Sequence, residues 1–200
     1  MKLRILKGIF IIKEIKNQKE IKKNYNFLKK NQKIKIINRQ GQIDSLSNLQ
    51  NQKVYIFAGK SDNTVDPKTS DKTQEFYLNF MNQSNILYES SMDTGHAHIT
   101  DNYGNGCKTS SSPYINNCGY DQSGALLAHL HRNALKPKVS MVAANLQKFD
   151  QTEYPAESMQ KEGFVYVPTG CQNGDLCGLH VALHGCVQNS DNFQGIFYYY

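Results

Sequence analysis

Apolar residues in this chain fall into short runs separated by polar, turn-forming stretches, and the spacing within the runs predicts their conformation. Val54–Ala58 (VYIFA) is continuous, β-branched and aromatic, which predicts a buried strand. Asp66-Pro67 then supplies an N-cap and a first-turn proline. Phe76/Phe80 and Tyr77/Met81 recur four apart, so a helix with one apolar face follows. Asn85–Tyr88 returns to a strand pattern and leads into a polar loop that holds Gly95 and His96. Strand, helix and strand of these lengths make a βαβ unit, and hence a parallel sheet.

Beyond the unit the pattern weakens. Residues 101–122 are rich in turn formers and too long for an ordinary connector, which predicts a lid or rim loop. Ser123–Leu135 is helical in pattern and is stopped by Lys136-Pro137. Residues 138–160 show no periodicity and are read as irregular. Gly163–Pro168 and Leu179–Leu183 read as a hairpin or as adjacent strands, joined through a turn between Cys171 and Cys177. The last run, FQGIFYYY, has no recognisable closing element.

The charge is placed unevenly. Residues 1–40 carry eleven Lys and two Arg against Glu14 and Glu20, so the net +6 of the chain belongs to this leader and the rest is acidic. The leader is low in complexity and lacks the aromatic platforms or glycine loops of nucleic-acid modules, so no nucleic-acid partner is expected. It reads as a solvated tail, or as a strand or helix added at the edge of a domain. Gly8–Ile12 is too short for the apolar core of a secretion signal, and no apolar stretch is long enough to span a membrane.

The five cysteines point the other way. Cys107 and Cys118 bracket one loop and Cys171 and Cys177 another, which suits either two short covalent loops or free thiols. Cys186 is left over, and an odd cysteine in an oxidising protein suggests a partner outside the chain. No C-x-x-C occurs. His96 and His98 lack an evident third ligand, and His129 and His131 lie about 200° apart on a helix, so no metal site is expected.

Candidate chemistry gathers at strand ends. Asp62 follows the glycine that ends the first strand, where open α/β sheets place their sites. Asp66, its rival, has a structural role as helix cap. His96 follows a glycine in the loop after the second strand, as a general base held by a carboxylate requires. His184-Gly185-Cys186 ends an apolar run with a His-Gly turn able to point an amide at an oxyanion. These are three of the four parts of an acyl-transfer site. The fourth, a serine in G-x-S-x-G, does not occur, and of Ser45, Ser47 and Ser61, the serines before Asp62, none is flanked by the two glycines.

Together VYIFAGKSDNTV, the GHA of residues 95–97, SPYINNCGYD (112–121) and VYVP…C…C…LHVALHGCVQ (165–188) resemble the poly(3-hydroxybutyrate) depolymerases, esterases of the α/β-hydrolase class. The likeness covers about residues 41–190, and its most specific parts are SPYINNCGYD and HGCVQ. It implies a mainly parallel α/β-hydrolase fold with circularly permuted strand order: serine, then Asp62, then His96, then the oxyanion strand. It also implies Asp62 as triad acid, His96 as general base, the Cys186 amide as oxyanion donor, bridges Cys107–Cys118 and Cys171–Cys177, and no cofactor. The partner implied is a polyester or a small hydroxy-ester, in a secreted protein.

On that likeness residues 1–40 stand outside the family, and 41–200 form an incomplete hydrolase domain whose nucleophile lies elsewhere. The chain alone is then expected to be inactive. The competing reading is a non-catalytic, truncated hydrolase-like binding protein.

Overall fold

The computed structural model describes residues 27–131, 135–153, 160–183 and 185. They fall into two compact units, one holding the described residues between 27 and 136 together with 182, 183 and 185, and the other the described residues between 137 and 181.

The first unit begins with helix α1 (Phe27–Arg39), so the part of the basic leader that is described is helical. Gly41 takes a left-handed backbone (φ 68°), which suits glycine at a helix C-terminus, and the Gln42 amide returns to the Ile37 carbonyl at 3.0 Å. Strand β1 (Val54–Phe57), helix α2 (Pro67–Leu78) and strand β2 (Ile86–Glu89) then form the expected unit. β1 and β2 pair in parallel with Val54 opposite Ile86 and Phe57 opposite Glu89. Asp66 caps α2 through its side chain, with Pro67 in the first turn. Val54, Ile56, Met81 and Ile86 form the buried centre, and Leu49, Tyr77 and Tyr88 pack against it.

Strand β3 (His98–Thr100) follows the histidine loop. The stretch read as a lid or rim loop contains two further strands, β4 (Asn105–Gly106) and β5 (Ile115–Asn117). With β3 they make a small parallel sheet in the order β3-β5-β4. Strands of two and three residues carry no period long enough to read from sequence. The Cys107–Cys118 bridge closes this loop, with Cα atoms 4.9 Å apart. Helix α3 (Gln122–Leu130) is capped by Asp121, whose Oδ1 accepts from the Gly124 amide at 2.8 Å. It starts one residue before the predicted helix and stops earlier, and its Leu126 is buried.

The second unit corrects two expectations. Residues 138–160 are not wholly irregular, since they contain strand β6 (Leu146–Asp150). β6 pairs antiparallel with strand β7 (Glu162–Tyr166), placing Leu146 opposite Tyr166 and Asp150 opposite Glu162. β7 therefore finds its partner upstream. Leu179–Leu183 is not a strand, and Leu179, Val181 and Leu183 are exposed. The Cys171–Cys177 bridge is formed (Cα–Cα 5.9 Å), closing the turn that follows the short helix α4 (Thr169–Gln172). His184 and Cys186, read as the oxyanion turn, lie outside the described residues, as do residues 1–26 and the terminal FQGIFYYY run.

Candidate active site

Parallel strands send their following loops out of the same sheet edge, and here the two loops stay hydrogen-bonded after the strands have ended. Ala58 donates to Glu89 O at 3.0 Å, Lys60 to Met92 O at 2.9 Å and Ser61 to Thr94 O at 3.2 Å. A side chain at Gly59 would run into the Thr94 carbonyl, so glycine there is what allows the loops to touch. Outside this ladder Ser61 Oγ donates to the Asp93 carboxylate, which Lys108 also meets. Asp62 follows Ser61 directly and His96 lies two residues beyond Thr94. The strand pairing thus delivers both side chains to one place.

Asp62 and His96 meet there. Asp62 Oδ2 lies 2.7 Å from His96 Nδ1, and the two side chains are only 12% and 16% exposed. Asp62 Oδ1 accepts the amides of Val65 and Thr64 at 2.8 and 2.9 Å, so the carboxylate is held from both ends. Burial pushes the Asp62 carboxyl up. The His96 hydrogen bond, the Val65 amide, the His96 charge and the Thr64 amide outweigh that, and the net shift is downward. The group is accordingly kept ionised. A carboxylate facing Nδ1 favours the tautomer with its proton there and leaves Nε2 able to accept one.

The disulfide loop builds the floor under His96. The His96 amide donates to Ser110 Oγ at 2.8 Å, and the Gly95 amide to Cys107 O at 3.1 Å. A Cβ at Gly95 would stand 2.5–2.6 Å from Thr109 O, Lys108 O and Ser110 Oγ, which requires glycine there. Tyr114, in the left-handed region at φ 61°, sets its ring edge-on to His96 with centroids 6.1 Å apart.

The other sequence candidates go elsewhere. Asp66 is occupied by the Lys68 amide as a cap. His98 Nε2 lies 2.9 Å from Ser123 Oγ, and His129 Nε2 lies 3.0 Å from Asn85 O, so these histidines hold different partners. Among the described residues no three His, Cys, Asp or Glu side chains group as metal ligands. Sequence reasoning overlooked Thr94, Ser110 and Asn116. Only the SPYINNCGYD motif, which contains Asn116, hinted at any of them.

The chain as a whole has relatives. The chain is 39% identical over 159 residues to the poly(3-hydroxybutyrate) depolymerase of Delftia acidovorans, covering 78% of this chain and 32% of the relative. It is 37% identical over 153 residues to the polyhydroxybutyrate depolymerase of Talaromyces funiculosus, covering 74% of this chain and 45% of that one. The crystal structure of the PHB depolymerase from Penicillium funiculosum matches with a TM-score of 0.72 at 34% identity, over 78% of this chain and 51% of that chain. A serine-to-alanine variant of PHB depolymerase complexed with an R3HB trimer gives the same TM-score at 35% identity. The chain spans about a third to a half of the length of the curated relatives it matches. No family profile matches it.

Proposed function

The chain belongs to the poly(3-hydroxybutyrate) depolymerase family, and from that premise we propose that it carries the acid and base of a serine ester hydrolase. Its substrates are poly(3-hydroxybutyrate) or related short-chain hydroxy-esters. The observation that carries this reading is the 2.7 Å contact between Asp62 Oδ2 and His96 Nδ1 at the edge of a parallel sheet.

In the reaction His96 Nε2 takes the proton of the nucleophilic serine as its oxygen attacks the ester carbonyl. Asp62 holds the imidazole in the required tautomer and stabilises the imidazolium that forms. His96 then returns the proton to the leaving alkoxide. Water attacks the acyl-serine in the second half, with His96 again as base. The Cys186 amide stabilises the oxyanion in both steps.

No G-x-S-x-G occurs in the 200 residues, so the nucleophile belongs to a part of the protein beyond them. The same proposal includes circularly permuted strand order, a hydrolase domain over residues 41–200, a leader outside it, and an extracellular location in keeping with two disulfides. The missing motif also favours a second reading, a hydrolase-like protein that binds a polyester without cleaving it.

Hydrolysis of a 3-hydroxybutyrate trimer, measured on the protein with its serine-bearing segment, separates the two. Asp62→Asn should lower turnover by about 10,000-fold, the scale of losing the orienting carboxylate. Binding of the trimer with no turnover in the unmutated protein would establish the second reading.

A further inference from the structure

Three donors converge on a single backbone carbonyl beside the candidate base. Cys107 O accepts from Thr94 Oγ1 at 2.6 Å, Asn116 Nδ2 at 2.9 Å and the Gly95 amide at 3.1 Å. A carbonyl has two lone pairs, so three donors saturate it. Thr94 and Asn116 are both fully buried, where a hydrogen bond is strong and its loss is expensive.

The Asn116 amide also donates to Thr109 O at 2.7 Å, while its Oδ1 is buried with no partner among the described residues. Turning the amide over would set Oδ1 against two carbonyls, so only one orientation is tolerable. Thr94 reaches the acid as well, because its own carbonyl accepts from Ser61, the residue before Asp62.

We propose that Thr94 and Asn116 are positioning residues: they lock the Cys107 carbonyl, and through the Gly95 amide that carbonyl sets His96 in register with Asp62. This rests on Asp62 and His96 being the acid and base. Neither Thr94 nor Asn116 touches the reacting atoms. Their effect is on where the imidazole sits, through one carbonyl shared by the disulfide loop and the histidine loop. A network of this kind favours one arrangement, since a donor released from the shared acceptor gives up a hydrogen bond in a buried place.

The test reads the Asp62 carboxyl directly. In this chain, labelled with ¹³C at the aspartate carboxyls, the Asp62 resonance is assigned with Asp62→Asn and titrated by NMR. His96→Gln removes the partner and should move the titration upward. Thr94→Val and Asn116→Leu should move it in the same direction by a comparable amount, with amide spectra showing the fold retained. Thr94→Ser, which keeps the hydroxyl, should titrate as the unmutated chain does. A merely structural role would lower the melting temperature and leave the Asp62 titration in place.

Folded Thr94→Val and Asn116→Leu chains with an unshifted Asp62, alongside a shifted His96→Gln, would overturn the positioning role and leave the acid–base reading standing. An unshifted His96→Gln would sink the acid–base reading and this inference together. Should Thr94→Val fail to fold, Thr94→Ala and Asn116→Leu make the same comparison.

Discussion

Asp62 divides its work between its two oxygens. Oδ1 ties down the amides of Thr64 and Val65, and Oδ2 faces His96. An asparagine there can keep the first set of bonds with its oxygen, but its amide then faces the His96 ring. Asp62→Asn is therefore expected to fold and to shift the His96 proton from Nδ1 to Nε2, which ¹⁵N NMR of the imidazole reads directly. The lowered pKa also sets a direction with pH. A carboxyl whose folded value lies below its unfolded one contributes stability that is complete above the unfolded value, about 3.9, and is lost as pH falls through the folded value. Acid unfolding curves of the unmutated chain and Asp62→Asn should thus draw together below about pH 4, and equal separation at every pH would remove the group from the account. Gly95→Ala should lower stability by about 1–3 kcal/mol, as crowding in a packed site does, and weaken the Asp62–His96 contact. Asp62 and His96 were legible in the sequence because each follows a strand and a glycine. Thr94 and Asn116 were not, because they act on a carbonyl 13 and nine residues away in the chain, respectively.

At the scale of elements, the sequence was clearest where one element buries a face. β1, α2 and β2 followed from VYIFA, the Asp66-Pro67 cap and the strand pattern of Asn85–Tyr88, although α2 ends at Leu78, so that Phe80 and Met81 of the four-residue spacing lie beyond it. The cap should behave as a local device. Asp66→Ala is expected to cost about 1 kcal/mol in thermal unfolding and to leave the Asp62–His96 contact as it was. A loss of that contact would mean that α2 also sets the loop beyond β1. β6 was missed because LQKFD is exposed over most of its length and does not alternate. Leu179–Leu183 misled for the opposite reason. It has the composition of a buried strand, yet it is not a strand and its Leu179, Val181 and Leu183 are exposed, and composition cannot name a partner.

For the molecule as a whole, the excess positive charge resides in residues 1–40, of which 27–39 form a helix. The 200-residue chain should take no label from a serine-reactive fluorophosphonate. Labelling abolished by mutating one of its own serines would place the nucleophile inside it. The Cys107–Cys118 bridge has a consequence for how the protein is made. β1, α2 and β2 can form as soon as they are synthesised, since their contacts lie within one βαβ unit and need no oxidant. The floor beneath His96 is held by hydrogen bonds and by the bridge between two cysteines 11 residues apart, which takes about 3 kcal/mol worth of freedom from the denatured chain. Made in a reducing cytosol, the chain would therefore keep its sheet and hold the seat of its base less tightly. A compartment that supplies oxidant thus fastens the place where the histidine settles.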